Sequence, residues 1–201
     1  ALAAIEEAKT NRIFQEVKAL VSECESDLAA AQPIVDAAKA ALNTLNKANL
    51  TELKSMGKPP EDVNLVTACV LRLLAPRGKL PRDVSWAAAR RMMADVGRWM
   101  KAMVEYDCNN IPQENIDAIM ATVQDAAFSP ENIETKSFAA SSLCKWVINI
   151  VKYHAVRCTV RPKEMRLAEA KVRLAASRVK LEKVHAKVAE LRQVLDGVVS
   201  S

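Results

Sequence analysis

Apolar residues recur every three or four positions at both ends of this chain. Near the start the run is Phe14, Val17, Val21, Cys24, Leu28, Ala31, Val35, Ala38, Leu42 and Leu45. Near the end it is Leu167, Ala170, Leu174, Ser177, Leu181, Val184, Val188, Leu191, Leu195 and Val198. A period of about 3.5 residues keeps one seam facing a partner as two helices supercoil left-handedly. The two runs bracket everything else, so folding back to pair antiparallel satisfies both. The expected fold is all-α: an antiparallel coiled-coil stalk capped by a small globular bundle of about six helices. Residues 1–46 and 161–201 would be the stalk helices and 47–160 the globular tip. The chain begins and stops inside heptad pattern, which reads as a piece of something longer.

Shorter elements are legible between the runs. The first helix should span about residues 3–47, with Pro33 kinking it without ending it, because the heptad continues in phase. Asn49 to Glu52 opens a short helix that stops before Gly57. Pro60-Glu61-Asp62 puts proline and acids in a first turn, and Val63, Val66, Val70, Leu73 and Leu74 form the stripe that this helix buries. Asp83 or Ser85 caps a helix over Trp86–Met93. Further helices are expected over Gly97–Tyr106 and from Pro112 to Val123. Ser129-Pro130-Glu131 starts a turn, and a long helix runs from Lys136 to Val160. Arg161-Pro162 marks a boundary, after which the second stalk helix begins at Lys163.

Composition supports this picture. Half of the 201 residues are apolar, 4% are aromatic and there are only 4 glycines, a balance that suits helices. No run approaches the roughly 20 apolar residues of a membrane span. Residues 1–20 carry charge throughout, unlike a secretory leader. Cys24, Cys69, Cys108, Cys144 and Cys158 form no CxxC pair, and His154 and His185 stand alone, so a metal site and a disulfide framework are not expected. The thiols read as small core residues in a reducing compartment.

Charge is sorted along the chain. Residues 47–101 hold 11 Lys and Arg against 5 Asp and Glu, a net +6. Residues 102–134 hold 7 acids and no Lys or Arg, and 135–160 hold 4 Lys and Arg and no acids. Basic helices that share a face would steer an acidic partner. Single surface charges contribute little, so the segregation, not any one lysine, carries this inference.

Catalytic signatures are missing. Gly57-Lys58-Pro59 lacks the earlier glycine and the Ser/Thr of a phosphate loop. His154 beside Tyr153 suits a structural role, and Trp86, Trp99 and Trp146 suit the core. Neither an enzyme nor a cofactor site is expected. Two rival classes fit the charge and the heptads in part. A helical nucleic-acid-binding domain is disfavoured by the acidic segment and by the lack of a recognition motif. A non-motor coiled-coil adaptor would not need a six-helix tip with sorted charge.

The ordered motifs Leu50-Thr51-Glu52-Leu53-Lys54-Ser55-Met56, Pro59-Pro60, Trp86, Phe128-Ser129-Pro130, Lys145-Trp146 and Val160-Arg161-Pro162 closely resemble the stalk tip of dynein heavy chains. The resemblance covers the whole chain. Ala75 to Lys79 and Trp146 to Lys152 are more similar to axonemal heavy chains than to cytoplasmic ones.

The resemblance implies a microtubule as partner, bound through the first, third and last helices of the tip. Carried onto this chain, the contacts are Lys47, Lys54, Arg90, Arg91, Lys136, Lys145 and Lys152. It implies an AAA+ ATPase motor in the parent chain and a place on the cytoskeleton, in the axoneme of a cilium or flagellum. It implies a leucine-rich-repeat light chain as a second partner, for which Glu105, Asp107, Glu114 and Asp117 are the candidate docking residues. No nucleic acid or membrane partner is expected. Affinity in this family is switched by a shift in stalk register, with Pro33 and Pro162 as candidate hinges. Ala168, Val172, Ala175 and Val179 form a second apolar row beside the main seam, which suggests two packings of similar energy.

Overall fold

The computed structural model describes residues 2–199. The helices are α1 (Leu2–Asn43), α2 (Lys47–Ser55), α3 (Glu61–Leu73), α4 (Trp86–Met92), α5 (Val96–Val104), α6 (Gln113–Val123), α7 (Pro130–Glu134) and α8 (Phe138–Val199). Among the described residues there is no strand, and no helix is long and apolar enough to cross a membrane. The chain divides into two compact units, Ala31–Arg157 and the segments up to Ala30 and from Cys158.

Within the second of these units, α1 and α8 pair antiparallel. The ion pairs show the direction: Lys163 meets Asp27 at 2.7 Å, Arg173 meets Glu16 at 2.7 Å and Lys180 meets Glu6 at 2.6 Å. Positions rise along one helix as they fall along the other. On α8 the expected seam is buried at Ala170, Leu174 and Ser177 and half-buried at Leu167, Leu181, Val184 and Val188, while Leu191, Leu195 and Val198 at its far end are exposed. The second row lies outside: Val172 is 70% and Val179 51% exposed.

On α1 the seam departs from the expected row only near the start, at Phe14 and Val21; Cys24, Ala31, Ala38, Leu42 and Leu45 of that row are buried as expected. Ile13, Leu20 and Cys24 are buried with Thr10, while Phe14 is 41% exposed beneath the Arg178 guanidinium. Ile13 and Phe14, or Leu20 and Val21, fit a heptad equally well. Spacing alone does not choose between them, and contacts with α8 do.

Pro162 is not a boundary, because α8 runs unbroken through it. Proline removes one backbone donor and crowds the preceding turn, a cost of about 3 kcal/mol. Packing on both sides outweighs that: Val160 is fully buried and Lys163 is held by Asp27 and Glu23. The two hydrogen bonds raise the Lys163 pKa, that to Asp27 most. Pro33 likewise lies inside α1, as expected.

The unit Ala31–Arg157 has its own core. α3 lies at its centre, packed on α4 and α6, with Val63, Val66, Cys69, Val70 and Leu73 buried. α2 packs on α5. Trp146 is almost wholly buried and meets Tyr106 edge-on, ring centres 5.5 Å apart. Trp99 is buried too, and the half-buried Trp86 donates its indole N–H to the Met56 carbonyl. Each such aromatic or aliphatic side chain contributes about 1.5–3 kcal/mol. Cys24, Cys69 and Cys144 are core residues as expected; Cys158 is exposed instead, because it lies off the α8 seam.

Short polar side chains start the short helices. Asn46 accepts from Asn49 N, Ser85 from Ala88 N, Asp95 from Arg98 N and Ser129 from Asn132 N. Each offsets one of the donors that a helix start leaves without an intrahelical partner. Ser85 is the cap, and Asp83 supports it by accepting the Ser85 N–H. Ser129-Pro130-Glu131, expected as a turn, opens the one-turn helix α7.

Candidate functional site

Lys47, Thr51 and Lys54 lie along one face of α2, at the i, i+4, i+7 spacing that stacks side chains on a helix. With Asp95, Val96, Gly97 and Met100 they line a groove between α2 and α5. The Lys54 ammonium donates to the Ala94 carbonyl at 3.1 Å. Ala94 follows α4, and its own N–H donates to the Arg91 carbonyl. The Lys54 head is therefore set at the end of α4, whose last turn holds Arg90 and Arg91. Both arginines are exposed. An α2 cation is thus held against the backbone that follows α4.

Arg91 is also engaged with Asp83 at 2.8 Å. That contact closes the loop before α4, and hydrogen bonds from Ser85 and Arg91 hold the Asp83 pKa below its usual range. Lys136 is paired with Asp62 at the start of α3. The Arg91–Asp83 pair is largely exposed, so its contribution to stability is small, whereas the Lys136–Asp62 pair is half-buried. Their geometric consequence is larger, since each aims a cation away from free rotation.

Lys145 and Lys152 lie two turns apart on α8, both exposed. Lys145 shares a groove with Thr44, Phe138 and Asn149. Thr44 and Ser142 share a hydrogen bond of 2.9 Å, which ties the end of α1 to this part of α8. Phe138 is 47% exposed. Phe138, Lys145 and Lys152 are spaced by seven, a signal that places the aromatic ring on the same exposed face as the lysines. Arg98 and Lys101 on α5, which the sequence reading did not single out, are exposed as well.

The candidate acids all have local partners. Glu105 closes α5 opposite Lys101, 3.8 Å away. Asp107 accepts from the Asn110 side chain and Asn109 N, bonds that lower its pKa. Glu114 accepts from Gly78 N, whose φ of 72° suits only glycine comfortably. Asp117 accepts from Gln113 at 2.8 Å. His154 is buried with Nε2 3.0 Å from Gln113 Oε1, which fits a structural role.

Permanent cations spread over exposed helix faces suit a broad acidic surface, not a small ligand. Charges at such a rim raise association rates and make binding sensitive to salt.

A family model described as the microtubule-binding stalk of dynein motor matches residues 1–201. The chain is similar to dynein axonemal heavy chain 11 of Sus scrofa, 45% identical over 202 residues and the whole of this chain. It is 48% identical over 164 residues, 82% of its length, to dynein axonemal heavy chain 9 of Homo sapiens. It spans about 4% of the length of each of these relatives. A solved structure titled "Microtubule Binding Domain of DYNEIN-C" aligns with TM-score 0.57 and 34% identity, covering 70% of this chain and 95% of that one.

Proposed function

This chain belongs to the family of microtubule-binding stalks of dynein motors, and from that premise we propose that Lys47, Lys54, Arg90, Arg91, Lys136, Lys145 and Lys152 carry the microtubule contact. The chain is the microtubule-binding tip and distal stalk of an axonemal heavy chain, working in a cilium or flagellum. In this reading residues 47–160 bind the acidic tubulin surface, and 1–46 and 161–201 are the stalk helices. The segment itself is not catalytic; ATP hydrolysis belongs to an AAA+ ring elsewhere in the parent chain.

One observation carries the residue assignment. The Lys54 ammonium is anchored on the Ala94 carbonyl, which ties an exposed cation of α2 to the C-terminal end of α4, the helix that carries Arg90 and Arg91. Several modest contacts held on separate helices can be unseated together by a small helix movement. A shift in the register of the stalk helices supplies that movement, with Pro33 and Pro162 as points of compliance. Expected outcome: Lys54→Glu with Lys145→Glu abolishes co-sedimentation with microtubules while the helical circular-dichroism spectrum is kept. Normal pelleting of the folded double variant refutes the assignment.

Glu105, Asp107, Glu114 and Asp117 do not suit an acidic filament, and we propose them as the docking face for a leucine-rich-repeat light chain. Glu105 and Asp107 line one groove with Arg77 and Tyr106, which supports a common surface. Reversing Glu105 and Asp107 to lysine should remove light-chain capture in a pull-down; undiminished capture counts against this face.

A further inference from the structure

The seam between α1 and α8 is hydrocarbon along most of its length, and hydrocarbon slides. Among the described residues of the α8 seam, Ser177 is the one hydroxyl. On the α1 seam the polar residues are Glu6 and Thr10. All three are more than nine-tenths buried, and they meet. Thr10 Oγ1 lies 2.7 Å from Ser177 Oγ and donates its own proton to the Glu6 carbonyl at 2.8 Å. A hydroxyl has one proton, so Ser177 is the donor of the bond between them. One turn along, Lys180 donates to Glu6 Oε1 at 2.6 Å, while Glu6 Oε2 is buried with no hydrogen-bond partner. The spacing Ser177-Lys180 on one helix matches Thr10-Glu6 on the other, read in the opposite direction.

We propose that this four-residue polar layer is a register lock: Thr10 and Ser177 are positioning residues that select one alignment of the two stalk helices. The inference deepens the reading of the chain as a register-switched stalk and rests on it. Burying Glu6 with an orphaned oxygen is a poor way to gain stability, since an apolar residue would pack there at less cost. Buried polar groups at seam positions are instead known to specify register.

Counting shows the selectivity. Sliding either helix by half a heptad sets Thr10 against Leu174 or Leu181. It sets Ser177 against Glu6 or the Ile13–Phe14 pair and parts Lys180 from Glu6. A full heptad sets Thr10 against Ala170 or Val184. Every neighbouring alignment sets at least one of the two hydroxyls against hydrocarbon, a penalty that the matched register avoids. The exposed Phe14 beside buried Ile13 shows where a slid helix would find its replacement seam.

The test uses this whole chain with Cys24→Ala and Cys158→Ser, and reads register by disulfide trapping. Ile13→Cys with Leu174→Cys reports the alignment in which Thr10 faces Ser177. Val17→Cys with Leu174→Cys reports a four-residue slide. Trapping should strongly favour the first pair in the parent. In Thr10→Val with Ser177→Ala, which removes both hydroxyls together and strands neither, the preference should fall roughly tenfold or more, with the melting temperature kept or raised. Thr10→Ser should retain the parent preference. An unchanged preference in the apolar variant overturns the lock, and so does loss of its helical melt. If the preference collapses but microtubule affinity of the two trapped forms is equal, the lock stands and the register-switched reading fails.

Discussion

Cys69 and Cys144 are both sealed in the core around α3 and α8, and their burial pushes each thiol pKa up to about 12. A thiol reacts as its thiolate, so neither is a nucleophile at physiological pH while the chain is folded. Cys158 is exposed on α8. At pH 8 a disulfide-exchange reagent should modify Cys158 first, and Cys69 and Cys144 only on unfolding; mass-spectrometric mapping of the labelled sites against time checks this. Early labelling of Cys144 would mean that the core around it opens without global unfolding. The sequence marked cysteines as small apolar residues, and four of the five are at least half-buried. It did not mark Cys158 as the exception, because the expected α8 seam begins at Leu167 and the spacing assigns no face to the residues before it.

At the scale of elements, α3 is where prediction and packing agree most closely. Its Val63, Val66, Val70 and Leu73 stripe is buried as the spacing requires. Its far end is settled by residues from elsewhere. The Leu73 carbonyl accepts from the Tyr106 hydroxyl at 2.9 Å, and the Ala75 carbonyl accepts from the fully buried Asn115 side chain at 2.8 Å. The Arg72 guanidinium in turn donates to the Ala118 carbonyl on α6. Helix ends leave carbonyls without intrahelical partners, and here two later elements supply the donors. Asn115→Ala strands the Ala75 carbonyl and should cost about 1–3 kcal/mol. That corresponds to roughly 2–4 °C per kcal/mol in a chain of this size, measured by thermal melting. A melt within error of the parent would show that water replaces the amide. Nothing in the local sequence announces this cap, since Asn115 lies forty residues from the carbonyl it satisfies.

For the molecule as a whole, the exposed cations set how binding depends on conditions. The screening length falls from about 10 Å at 0.1 M salt to about 3 Å at 1 M. Microtubule affinity of this chain should therefore fall steeply as salt rises, and Lys145→Gln should flatten that dependence. Salt-insensitive binding in a sedimentation series would point to an apolar interface, with Phe138 as its first suspect. Charge sorting along the chain was visible without coordinates, and so was the all-helical class. Heptads, caps and proline placement are local properties of a sequence, because 3.5-residue periodicity and a cap three residues from its donor need no distant partner. What only the tertiary structure decided is which of two adjacent apolar rows α1 buries, and which cations are already engaged. Those choices rest on contacts such as Thr10 with Ser177, Arg91 with Asp83 and Lys136 with Asp62. In the first and last of these the partners are far apart along the chain. Many alignments share the same pattern of apolar positions, and the one that satisfies every buried polar group is selected only when the helices meet.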